Sequence, residues 1–202
     1  MRSRAAASVL TGAGFKEVHS MEGGIRAWHG LVAEGIPEAG MAYFPPATRP
    51  EEMVALAWLL EDGSLKFYES LSKMMEEQEA RGLFQNLKRS EENHKATLWK
   101  IYEEISGKAP AHEFPDTVIS KEPKGDVMEG GMLLSEALKW SKGKPSKDIL
   151  ELSMSLETNS YDLYLKMERK VEGRNAKQVF KTLSEEEKDH LQRLTSLFNK
   201  WL

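Results

Sequence analysis

Two copies of one spacing pattern, E-x6-Y-x22-E-x-x-H, stand 96 residues apart in this chain, in register and without a gap. The first copy is Glu61, Tyr68, Glu91 and His94; the second is Glu157, Tyr164, Glu187 and His190. A glutamate and a histidine three apart share one helical face, with Cβ atoms ~5–6 Å apart, so both can reach a common ion. The two units together supply four carboxylates and two imidazoles, the ligand set of a two-metal centre inside a four-helix bundle. The plainer reading makes these acids solvated surface groups. Against it, each glutamate falls within or beside an apolar stripe, with Leu60 and Leu87 flanking the first unit and Leu156 and Leu183 the second. Four carboxylates facing a core are prohibitively costly without a cation to compensate them. The metal reading is preferred.

The chain has 202 residues, 30% of them charged and 40% hydrophobic. That length holds one good-sized domain, or one domain plus a fragment. The net charge is −4 and no basic face repeats along a helix, so nucleic acid has no electrostatic footprint. No apolar run approaches the ~18–20 residues of a membrane span. The apolar stretch near the N-terminus stops after Leu10, too short for a secretory leader, and a cytoplasmic protein is expected. Cysteine is absent, which removes disulfides, thiolate nucleophiles and iron–sulfur centres together. Redox chemistry here must use a metal held by nitrogen and oxygen, with electrons from an external donor.

Residues 50–202 read as four helices. Pro50 with Glu51-Glu52 makes a good first turn, because proline is tolerated at N1 and acids suit the positive end of the helix dipole. Met53, Leu56, Leu60, Phe67, Leu71 and Met74 then form one stripe that predicts a helix to about Glu79. A second helix stops at Ser106-Gly107, a third runs from about Ser146 to Glu172-Gly173, and a fourth from about Asn175 onward. Between the second and third lies a long connection, Gly107 to Lys144, with one short helix expected over Met132–Trp140. A long crossover in the middle of a four-helix bundle is ferritin-like connectivity. Residues 51–106 and 147–202 share 12 identities, so the duplicated unit is a helical hairpin. The expected class is mainly α, a ferritin-like bundle preceded by a short α/β fragment at residues 1–38 and a proline-rich linker at 39–49.

With these residues in view, the chain resembles the rubrerythrin and bacterioferritin branch of the ferritin-like superfamily, over about residues 50–202. The resemblance implies two iron ions, with manganese or zinc as alternatives. Glu61 and Glu157 would be terminal carboxylates, Glu91 and Glu187 would bridge, and His94 and His190 would each cap one metal. Oxygen-rich ligation with one imidazole per metal suits iron or manganese. Tyr68 and Tyr164 are expected either to hydrogen-bond ligands or to fill the core. The implied activity is an oxidoreductase of peroxidase or ferroxidase type acting on peroxide or oxygen. The alternative is iron sequestration or sensing without turnover. One departure stands out: many rubrerythrins carry an extra glutamate three residues after the helix-three ligand, where this chain has Ser160. The matching position on helix one is Ser64.

The N-terminal segment, with Arg2-Ser3, Ala13-Gly14-Phe15, Gly23-Gly24-Ile25 and Trp28, resembles the last third of a rhodanese domain. The nucleophilic cysteine of that family's loop would stand just before the chain begins, so no sulfur transfer is expected. A helix–strand–helix piece cannot bury its own apolar face, so Ile25, Trp28, Leu31 and Val32 need a partner surface, either the bundle or the same segment of a second chain, and a homodimer is expected. His19, His29 and His112 read as ordinary surface or structural residues.

Overall fold

The computed structural model describes residues 49–119 and 126–200, together with Lys16. The readings of residues 1–38 and most of the 39–49 linker, the rhodanese-like resemblance and the pairing drawn from it, lie outside the described residues. Lys16 alone of that stretch is included.

Four long helices build the bundle. α1 spans Pro50–Met74, with proline in its first turn, Glu51 and Glu52 beside it and Lys73 in the last turn. α2 spans Gln78–Ser106 and ends where Gly107, at φ 67°, turns left-handed and donates its N–H to the Glu103 carbonyl at 3.0 Å. That conformation costs glycine little. A short α3, Leu134–Ser141, lies in the crossover. α4, Ser146–Lys170, and α5, Arg174–Lys200, form the second hairpin.

α1 stops five residues before the predicted Glu79. Met75 is extended and buried, its N–H reaches the Leu71 carbonyl, and Arg81 binds its carbonyl at 2.9 Å. The local sequence Met74-Met75-Glu76-Glu77-Gln78 is all helix formers and gives no breaking signal. Tertiary packing of Met75 sets this end. In the second hairpin Gly173, at φ 98°, marks the equivalent turn.

The core forms two apolar clusters. One joins the first half of α1 (Met53, Leu56, Leu60) to the ends of α2 and α4 (Leu98, Ile101, Leu163, Met167) and the start of α5 (Phe180, Leu183). The other joins Phe67 and Leu71 of α1 to Phe84 and Leu87 of α2, Ile149 and Leu150 of α4, and Leu194 of α5. Each cluster mixes helix beginnings with helix ends, so α1 runs antiparallel to both α2 and α4. Between the two clusters falls a polar layer.

The crossover clamps this assembly at two places. Phe114 packs on Trp58, Trp99 and Tyr102 with ring centroids 4.8–5.5 Å apart, contacts that add about 0.5–1.5 kcal/mol each beyond area burial. Further on, a bridge between Val127 and Leu133 closes a tight loop whose tip is a 3-10 turn, Glu129–Gly131. Met128 N–H to the Met132 carbonyl (3.0 Å) and Leu134 N–H to the Asp126 carbonyl (2.7 Å) clasp its base.

Candidate metal centre

The polar layer holds the repeated residues. Glu61 on α1, Glu91 and His94 on α2, Glu157 on α4, and Glu187 and His190 on α5 are all buried. The helical registers explain why. Leu60, Leu87, Leu156 and Leu183 lie on the buried faces, and each glutamate or histidine occupies the turn between the two apolar clusters. The structure thus brings all six sequence-predicted residues to one place.

Their atoms converge. His94 Nδ1 lies 3.3 Å from Glu61, 3.0 Å from Glu91 and 3.2 Å from Glu187. His190 Nδ1 lies 3.1 Å from Glu157, 3.3 Å from Glu187 and 3.7 Å from Glu91. The imidazoles face each other, centroids 5.5 Å apart and 20° from parallel. Two groups emerge, Glu61/Glu91/His94/Glu187 and Glu91/Glu157/His190, with one ligand atom from each residue within 4.8 Å of the others. Glu91 belongs to both groups, and Glu187 lies close to both imidazoles.

The donor set fits metal ions. Both carboxylate oxygens of Glu91 and of Glu187 are buried without a hydrogen-bonding partner, although leaving such an atom unpaired costs several kcal/mol for a charged group. The nearby Nδ1 atoms stand at contact distance but out of hydrogen-bonding line. Ligands at right angles around an ion with ~2.1 Å bonds sit about 3.0 Å apart, close to the observed spacing.

The electrostatics say the same. Burial and Glu61 push the Glu91 carboxyl well above the usual range. Burial and the neighbouring Glu187 raise Glu157 to about 8. Burial opposes charge on the imidazoles, but Glu61 and Glu91 hold His94 well above its ordinary value, and Glu157 and Glu187 push His190 up to about 10. Glu187 goes the other way against its burial, because the neighbouring Glu157 carboxyl and the two imidazoles favour its ionised form. Protons thus occupy the role that cations would take, and metal binding must displace them.

Around this set lies an outer ring. Tyr68 donates to Glu157 Oε1 and Tyr164 donates to Glu61 Oε1, so each tyrosine holds the glutamate of the other hairpin. Burial and the surrounding carboxylates raise both phenols well above their ordinary value, which keeps them donors. Glu186, half exposed on α5, places a carboxylate oxygen 2.8 Å from His94 Nε2. It is a charged neighbour of that outer nitrogen without making a hydrogen bond to it, and it leaves Nδ1 facing the carboxylates.

Two participants were missed in the sequence. Glu186 has no counterpart in the first repeat, where Ser90 stands. Glu129, read as part of a connector, is buried in the centre, with Oε1 3.2 Å from the Tyr164 hydroxyl. Its one clue is Glu-Gly-Gly, an acid on a sharp turn. The other histidine in the described residues, His112, is exposed and remote from this cluster, as expected.

The rubrerythrin family model matches residues 148–201, which are α4 and α5 with Glu157, Glu187 and His190. No curated protein matches the chain, and the rhodanese-like reading of residues 1–38 finds no support. Among solved structures, a hypothetical protein from Pyrococcus furiosus superposes with a TM-score of 0.58 at 23% identity, over 83% of this chain and 98% of that one. That likeness shows a shared fold. Family match and helical architecture support a ferritin-like, rubrerythrin-type protein.

Proposed function

We propose that this is a non-haem di-iron carboxylate oxidoreductase that reduces peroxide or oxygen with electrons from an external donor. The observation that carries the reading is the convergence of four buried glutamates and two buried histidines, with the oxygens of Glu91 and Glu187 left without hydrogen bonds. Glu61, Glu91 and His94 would hold one ion and Glu157, Glu187 and His190 the other, with Glu91 and Glu187 shared. Paired iron supplies reversible electron transfer to a bound oxidant.

The rest is the protein's part. Leu60, Leu87, Leu156 and Leu183 close the layer above and below and exclude water. Tyr68 and Tyr164 fix the terminal carboxylates of the opposite hairpins. Both phenols retain their protons and donate them to Glu157 and Glu61, so the residues that would hold the ions have proton donors beside them. Peroxide reduction to water consumes two electrons and two protons. With no cysteine in the chain to relay them, the electrons come from a partner or small reductant.

Anaerobic ferrous loading followed by metal analysis tests the centre, and about two irons per chain is the expected result. Peroxide consumption sustained by an external reductant over many turnovers supports the oxidoreductase. Iron oxidation that stops after one equivalent per site overturns turnover and leaves sequestration.

A further inference from the structure

The six repeated residues obey a pseudo-two-fold relation, and so do their tyrosines. Glu129 does not. It belongs to the crossover, which occurs once, and a single carboxylate therefore enters a set of repeated residues that is otherwise symmetric, with Glu186 beside His94 the one other group that has no counterpart.

Its placement is built rather than incidental. The backbone N–H of Glu129 donates to Ser64 Oγ at 3.4 Å, and its carboxylate meets the Tyr164 hydroxyl, which itself donates to Glu61. Gly130 follows at φ 75°, and a Cβ there would stand 2.8 Å from Asn159 Nδ2 and 2.9 Å from Leu156 Cδ2. Across the loop, a Cβ on Gly63 would collide with the Val127 carbonyl and stand 2.7 Å from Met128. Two glycines thus let the loop press against α1 and α4 so closely that Glu129 reaches the polar layer. Ser64 and Ser160 are short at the positions one turn beyond Glu61 and Glu157, which leaves room for it. The charges acting on Glu129 most strongly are Glu61, Glu187, Glu157 and His94, three acids against one imidazole. A buried carboxylate in such company lacks compensation unless a cation is nearby.

We propose that Glu129 is a fifth carboxylate and seventh ligand of the centre, bound to the ion held by Glu61, Glu91 and His94, and that it makes the two metal positions inequivalent. This rests on the two-iron reading above. Glu129 approaches on the α1/α4 side, beside Glu61 and Tyr164, whereas the histidines come from α2 and α5. It therefore adds oxygen ligation to one position and leaves the other with the repeat's own set.

The test is anaerobic loading with iron-57 followed by Mössbauer spectroscopy and a ferrous titration, on the full chain and on Glu129→Gln. Glutamine keeps the shape and can still pair with Tyr164, so helical content should match the parent. The parent should show two distinct ferrous doublets of equal area. In Glu129→Gln they should merge towards one, and one of the two stepwise affinities should fall about tenfold, the lower end for a lost partner at a metal site. Tyr164→Phe removes the hydroxyl and keeps the carboxylate, so its doublets should stay distinct. If Glu129→Gln binds two irons with the parent's spectrum and affinities, the assignment is overturned while the di-iron reading stands. Merging in Tyr164→Phe as well would overturn it in favour of an effect carried by the hydroxyl. A parent that binds no iron would overturn both readings.

Discussion

Each of the six repeated residues sits where its own helix register puts it, and the cost of burying it is met from across the bundle. Glu61 and Glu157 are held by tyrosines of the opposite hairpin, and the imidazoles face carboxylates of both. Replacing His94 or Glu187 by alanine should therefore lose at least one of two metals while helical circular dichroism persists. Full metal occupancy in both variants would place those residues outside the centre. A pH prediction follows from the same groups. Glu157 is raised from 4.5 to about 8 and His190 from 6.5 to about 10, so the folded metal-free chain holds both protons more tightly than the unfolded chain. Their contribution to stability is complete below 4.5 and 6.5 respectively, and is lost as pH rises through about 8 and about 10. Glu187 is depressed and acts only at the acid end, below its ordinary 4.5, so it adds no slope between pH 6 and 9. Metal-free protein should melt about 2–8 °C lower at pH 9 than at pH 6, the shift expected for roughly 1–2 kcal/mol in a chain this size. A melting temperature that is flat or rising over that interval would contradict the protonated cluster. The six repeated residues were legible in the sequence because duplication made chance an unsatisfactory account of them. Glu129 and Glu186 were not, because neither recurs and nothing local marks an acid as buried.

Helices and turns divide in the same way. The long-helix ends that carry glycine or proline punctuation, at Pro50, Gly107 and Gly173, were readable from residue type alone. The end of α1 was not, since Met75 is extended only because it packs into the core formed by α1, α2 and α4. The crossover shows the larger gap. Its short helix was expected at Met132–Trp140 and lies at Leu134–Ser141, a modest shift. The clasped loop before it was invisible, because the Val127–Leu133 bridge and the seat on Gly63 are tertiary facts. Gly63 lies in mid-helix, where glycine costs up to about 1 kcal/mol relative to alanine. The close approach of Val127 explains why it is there. Gly63→Ala should thus destabilise the fold by about 1–3 kcal/mol despite alanine's better helix propensity, as overpacking does. Denaturant unfolding checks it, and a more stable variant would mean that the loop has slack there.

At the scale of the molecule, the described residues form two hairpins of related sequence that meet across the polar layer and the apolar clusters on either side of it. Each hairpin brings one lone glutamate, one tyrosine and one Glu-x-x-His, and neither can complete an ion's surroundings alone, since Glu91 and Glu187 face the imidazoles of both hairpins. This level was well marked in the sequence: duplication gave the hairpins and the long crossover gave their connectivity. Among the described residues no helix is long and apolar enough to cross a membrane, in keeping with helices whose polar faces meet solvent. Metal bound at a centre shared in this way would cross-link the folded state. Ions that bind the native chain and not the unfolded one stabilise it by about 2.7 kcal/mol each when free metal is a hundredfold above Kd. Two ions supply roughly twice that, which in a 202-residue chain corresponds to about 10–20 °C in melting temperature. Removing metal with a ferrous chelator under anaerobic conditions should lower the melting temperature by about that much and leave the helical signal at 20 °C largely intact, because the apolar clusters on either side of the layer remain. Restoring ferrous iron should recover it. If chelation changes the melting temperature by less than about 2 °C, the hairpins are held by their apolar contacts alone and the polar layer does not act as a metal cross-link.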